Sequence, residues 1–354
     1  MKGRIIVSTL LALLLFVSLP MSALAATWDI GNGDITVNAG SGGQTVTQGS
    51  QVDVPDSAPV ITGSSTGNTV TINAEKDQTA NVTLSGVNID TSTEDKAAVS
   101  TNGEGNVSIE LDGENTLKSD EGHAGLEKNN GGKLTIADKD KNGKLTAEGG
   151  KYGAGIGGGK EGAGSGIAIS GGEVKATGGD FGAGIGGGEN GDGSGITISG
   201  DAKVNATGGK RSAGIGGGDE GSGRDIEITG GKVTASSKSD GAGIGGGNSG
   251  DGENITISGG EVTATGGSDE EGLSSGYGAG IGGGYKGDGK RIKITDGTVD
   301  AASDKGAGIG GGDDGNGENI AISGGKVTAK SSKNGAGIGG GMWGKGKDIT
   351  VSGD

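Results

Sequence analysis

The hexapeptide Ala-Gly-Ile-Gly-Gly-Gly occurs seven times, with its isoleucine at Ile156, Ile185, Ile215, Ile244, Ile281, Ile309 and Ile338. Successive isoleucines lie 29, 30, 29, 37, 28 and 29 residues apart. A near-constant period of this size marks a stacked repeat, in which one unit cannot bury its own apolar face and must lie against its neighbours.

Each unit holds three short segments that alternate apolar and small or polar residues. In the first they are Ala154-Gly-Ile156, Ile167-Ala-Ile169 and Val174-Lys-Ala176; in the fourth, Ala242-Gly-Ile244, Ile255-Thr-Ile257 and Val262-Thr-Ala264. A period of two predicts half-buried strands, and the Gly, Asp, Asn and Ser between them predict turns. The expected fold is therefore all-β: a single-stranded parallel β-helix solenoid with three short strands per coil of about 29 residues. The strands should line three parallel sheets. A β-propeller needs four strands per blade and a longer period, ~40–50 residues, and fits less well.

The pattern continues upstream in weaker form. Ala124-Gly-Leu126, Leu134-Thr-Ile136 and Leu145-Thr-Ala147 form one coil; Ala98-Val99, Val107-Ser-Ile109 and Asn115-Thr-Leu117 form another; Val70-Thr-Ile72, Val82-Thr-Leu84 and Val87-Asn-Ile89 a third. The expected division is a signal peptide at 1–25, an N-terminal cap at 26–65 and β-helix repeats over 66–354, regular from about residue 124. The eight extra residues in the 37-residue spacing, Ser268–Ser275, predict a protruding loop.

Lys2 and Arg4 precede an apolar run from Ile5 to Leu19, and Ala23-Leu24-Ala25 is a small-x-small cleavage site. Export is expected, with the mature chain extracellular or held at the cell surface and out of the membrane. The chain has no cysteine, so packing and hydrogen bonds must hold it without disulfides. Its formal charge of −16 argues against nucleic acid as a partner, because no basic patch is present to neutralise phosphates. The last repeat ends at Ser352-Gly353-Asp354 without its third strand, which suggests a truncated sequence; end-to-end self-association through an open edge is the alternative.

No catalytic constellation accompanies the repeats. His123, the one histidine, has neither a cysteine nor a second histidine beside it in the sequence and is expected to be a turn residue. The abundant carboxylates are not paired as glycoside hydrolysis requires, and Gly-x-Gly-x-x-Gly matches lead into no helix that could receive phosphate. The candidates lie on surfaces. Asp192, Asp251, Asp288 and Asp313 follow the Gly-Gly-Gly runs and could stack into an acidic, Ca²⁺-binding column. Tyr152, Phe181 and Tyr277 each precede the inward alanine by two residues, while Tyr285 and Trp343 follow the glycines; these rings could stack on sugars. If Ala154 and Ile156 point inward, Gly155 should point outward and leave a bare strip for close approach. Threonines at Thr197, Thr256 and Thr350 recur, but Glu227 and Lys293 interrupt their column, which counts against ice binding.

Trp28-Asp-Ile, Leu111-Asp-Gly-Glu-Asn-Thr-Leu117 and the Ala-Gly-Ile-Gly-Gly-Gly…Ile-x-Ile-x-Gly-Gly-x-Val-x-Ala repeats together resemble secreted Gram-positive surface proteins. They are similar to the clostridial carbohydrate-binding right-handed parallel β-helix family, whose fold is pectate-lyase-like. That resemblance implies non-catalytic binding of a polysaccharide of cellulose or polygalacturonate type, with calcium in the fold. It assigns no binding residue, since the matching motifs are core and turn positions. Two other readings stand beside it: a structural or adhesive surface stalk, and a polysaccharide lyase.

Overall fold

The computed structural model describes residues 25–267 and 276–353. The segments expected to be the signal peptide and the protruding loop Ser268–Ser275 lie outside the described residues, apart from Ala25. The described chain is a parallel β-solenoid. It contains no α-helix, and none of its elements is a helix long and apolar enough to cross a membrane.

One continuous ladder sets the architecture. Ile35 pairs with Val70, Val70 with Val99, Val99 with Leu126 and Leu126 with Ile156. From there each hexapeptide isoleucine pairs with the next as far as Ile338. These residues form a single inward column, fully buried up to Ile309 and partly open at Ile338. The second and third strands of each coil stack in the same way: Ile198 on Ile228 on Ile257, and Val204 on Val233 on Val262. A lone coil would leave these aliphatic rows against water, so burial comes only from stacking.

Two expectations need correction. The three faces make two sheets, of 13 and 22 strands, because the second and third faces run into one another. In two coils a single strand, Gly252–Thr265 or Lys293–Ser303, covers both, although the chain turns the corner at Gly260 and Gly297 with φ of 88° and 100°. The boundary at residue 65 also moves. Thr27–Asp29 already pairs in parallel with Val60–Thr62, and Ile35–Gly40 with Val70–Ala74, so the solenoid starts within the expected cap. Only Gly43–Gln48 and Gln51–Pro55 add antiparallel strands at that end. Antiparallel strands turn the ladder back on itself and shield the first coil.

The glycine strip is also not bare. Gly155 is buried, and a Cβ placed on it would lie 2.5 Å from the Thr177 nitrogen and 2.7 Å from the Gly184 oxygen. The end of the third strand returns across the glycine side of the first, so backbone packs on backbone. Two residues on, Gly157 and its equivalents through Gly339 hold φ between 133° and 138°, a conformation that L side chains rarely adopt. The repeat is glycine-rich because close approach and positive φ both require it, and backbone covers the strip expected to be bare.

Candidate functional site

The turn after each Gly-Gly-Gly folds back along the solenoid and brings together two positions that are far apart in sequence. The peptide N–H of Glu189 donates to the Tyr152 carbonyl (2.8 Å), that of Asp219 to Phe181 (3.0 Å), that of Tyr285 to Asp240 (2.8 Å) and that of Asp313 to Tyr277 (2.8 Å). The residue four before each isoleucine thus lies beside the residue four after the next one. Two rows result along one edge: Tyr152, Phe181, Arg211, Asp240, Tyr277, Lys305 and Asn334, next to Lys160, Glu189, Asp219, Asn248, Tyr285, Asp313 and Met342.

Side chains within this double row engage one another. Tyr152 and Phe181 stack on adjacent coils, with centroids 5.6 Å apart and planes at 15°. Tyr277 and Tyr285 meet at 4.8 Å and 53°. Lys160 and Lys151 each place Nζ 4.8 Å from the Tyr152 ring centre, and Lys305 lies 4.3 Å from that of Tyr277. Between the aromatic pairs, Arg211 holds Asp219 at 3.0 Å, and Asn248 donates to the same carboxylate. Trp343 follows Met342 at one end with 71% of its surface exposed. All five aromatic candidates therefore lie on this edge. Burial raises the pKa values of Asp219, Asp240 and Asp313; Arg211 partly offsets it at Asp219 and Lys305 at Asp313.

The acidic candidates are divided. Asp192, Asp251 and Asp288 share a column three residues beyond the second row, while Asp313 lies in the row itself. In the column, Oδ1 of each carboxylate accepts the peptide N–H of the next coil: Ser222, Asp288 and Asn316, all at 2.8 Å. The second oxygens meet cations already in the chain. Arg224 lies 2.7 Å from Asp192, and Lys290 lies 2.9 Å from both Asp251 and Asp288. Burial works against the Lys290 charge, but the two carboxylates outweigh it and raise its pKa. Calcium takes six to eight oxygens. This column fits it poorly, because half of its oxygens cap peptide groups and an ammonium stands between Asp251 and Asp288. Asp313 is buried, and its Oδ1 has no hydrogen-bond partner.

His123 is more than a turn residue. Its Nδ1 lies 2.7 Å from Oε2 of Glu127, and Asp95 and Asp120 approach its Nε2 at 3.8 and 4.0 Å. The Glu127 hydrogen bond is the main cause of a raised His123 pKa. For Glu127, burial pushes upward but the bonds from His123 and Asn129 prevail and lower it. Asp120 is raised by burial. Sequence reading missed this group because Asp95 comes from the preceding coil; the available signal was its 28-residue separation from His123, one coil period. Lys128, buried in the same coil, donates to the Asn130 carbonyl at 2.6 Å and is depressed by burial to about 8.

No curated protein and no solved structure matches the chain. The Beta helix repeat family model matches it at 141–160, 167–189, 196–219, 226–248, 255–285, 292–313 and 320–342. Each matched stretch after the first begins at the first isoleucine of a second strand, as at Ile167 and Ile196, and runs past the next Gly-Gly-Gly, so the model follows the same period as the ladder. By its repeats and its topology, the chain is a β-helix repeat protein.

Proposed function

We propose that the protein binds polysaccharide, without cleaving it, along the double row that runs from Tyr152 to Trp343. The observation that carries this reading is the convergence of Tyr152, Phe181, Tyr277, Tyr285 and Trp343 on one edge, although they come from two separate places in the repeat. Coil stacking of ~4.8 Å places Tyr277 about 19 Å from Tyr152, four coils along the edge, a span suited to an extended chain of sugars. The rings offer apolar faces, and Lys160, Lys305, Arg211 and Asn248 between them offer hydrogen-bond donors. Lysines over Tyr152 and Tyr277 compete with a sugar for those faces, so Trp343 is the least encumbered anchor.

The acidic charge favours a neutral glucan over polygalacturonate. Because the aspartate column holds its own cations, this reading needs no calcium. The test is retention on insoluble cellulose and on immobilised polygalacturonate, with added Ca²⁺ or chelator, for the wild type and for Trp343→Ala and Tyr152→Ala/Phe181→Ala. Cellulose retention that falls in both variants and is indifferent to chelator supports the proposal. Retention on no polysaccharide would reject it and favour a surface stalk. Chain-shortened products would reject the non-catalytic part.

A further inference from the structure

We propose that His123, Asp95 and Asp120 bind a divalent transition cation of the zinc type. The imidazole is held from behind: Nδ1 lies 2.7 Å from Oε2 of Glu127. Glu127 is itself buried and fixed, accepting from the Ala124 N–H at 3.1 Å and from Asn129 Nδ2 at 2.8 Å. A carboxylate that accepts from Nδ1 sets the tautomer and leaves the Nε2 lone pair free to bind a metal, as in carboxylate–histidine–metal arrangements.

Among the described residues Nε2 makes no hydrogen bond and faces two carboxylates. Asp95 Oδ1 lies 3.8 Å away and Asp120 Oδ1 4.0 Å away, too far for a hydrogen bond. The Asp120 oxygen is buried and has no partner, an independent sign that something is needed there. All three donor atoms lie within 4.8 Å of one another. A tetrahedral ion with bonds of ~2.0 Å holds its donors about 3.3 Å apart, so the carboxylates must close on Nε2 by roughly 0.5–0.7 Å and on each other by up to about 1.5 Å. Asp95 can supply that movement, because its side chain is fully exposed. Water would take the remaining position. An imidazole ligand favours zinc, nickel or copper over calcium and magnesium.

The competing occupant is a proton, which would make His123 an imidazolium among carboxylates. The chain's single histidine allows the two to be separated in tag-free protein. Zinc and cobalt(II) are titrated calorimetrically at neutral pH, with cobalt absorption and ¹⁵N chemical shifts of the imidazole as further readouts. One ion per chain is expected, with the shift change at Nε2 and not at Nδ1. His123→Gln and Asp120→Asn should abolish binding. Asp95→Asn, at an exposed side chain that the fold does not need, should weaken it about tenfold, and Glu127→Gln by ~10–100-fold. Absence of binding by the wild type, metallation at Nδ1, or equal affinity in folded Asp95→Asn and His123→Gln would each overturn the proposal.

Discussion

The coil of Leu126 and the coil of Ile156 are hydrogen-bonded neighbours in the same ladder, yet they fill their interiors differently. Glu127 stands in register with Gly157. In the regular coils that position is glycine at positive φ, with backbone of the next coil immediately against it. In the Leu126 coil, Glu127, Lys128 and Asn130 are buried there instead, and Thr101 of the preceding coil hydrogen-bonds to Asn130. A uniform glycine ladder is tight and chemically silent. A coil that replaces glycine with long polar side chains must satisfy them in pairs, and leftover atoms such as the Asp120 oxygen are where ligand chemistry can arise.

The sharpest way to break this comparison is to move the Leu126 solution into a regular coil. Gly216→Glu places at φ 133° the residue type that the chain tolerates at Glu127. Its Cβ would meet the Gly245 carbonyl, which belongs to backbone and cannot swing aside. Destabilisation above about 4 kcal/mol is expected, with loss of the coils on both sides. Thermal unfolding followed by circular dichroism would show it; an unchanged transition would mean that the glycines are not sterically required.

A smaller effect should separate the two regions by pH. Lys128 has a folded-state pKa of about 8 against an ordinary 10.5, because burial disfavours its charge. The folded state therefore holds fewer protons, so the penalty is complete below about 8, fades as pH rises toward 10.5, and is absent above. Relative to Lys128→Met, wild-type stability should climb across that window by on the order of 3 kcal/mol. Denaturant unfolding of both proteins at several pH values would measure it, and a constant gap would count against a buried charged lysine.

Legibility followed the same division. The inward isoleucine, valine and alanine columns were readable because each coil repeats one apolar register, and the weaker upstream coils kept it at Val99 and Val70. The double row was only half readable. Tyr152 and Phe181 could be seen as one column, but Tyr152 beside Glu189 depends on how the turn after Gly-Gly-Gly folds back. Gly155 was misread because alternation says which side a residue faces and not what covers that side. His123 was missed because its partners include one from another coil, which becomes visible only when residues are compared one period apart.

Within the double row the expected effects are smaller still. Burial raises the pKa of Asp313, so the folded state favours its protonated form; the group adds stability at low pH and loses it as pH rises through the raised value. Asp313→Asn removes the charge permanently and should stabilise the protein at neutral pH by about 1 kcal/mol, with the gain vanishing on acidification. Melting temperatures of the pair at neutral and acidic pH would settle it; a variant less stable at neutral pH would mean that Lys305 matters more than burial.

Trp343 should give the smallest change in stability and a large change in binding. Its ring is 71% exposed and lies outside the hydrophobic core. Trp343→Ala should therefore shift unfolding by no more than about 0.5 kcal/mol. Tyr152→Ala should cost more, because it removes the stack on Phe181 of the adjacent coil and the contacts from Lys151 and Lys160. If the double row binds sugar, the order reverses for retention on cellulose. The unencumbered indole should lose roughly tenfold, about 1.4 kcal/mol, whereas the ring already covered by lysines should lose less. Equal losses in stability and retention at each site would mean that the aromatics serve the fold, and the edge would then be a structural seam between coils.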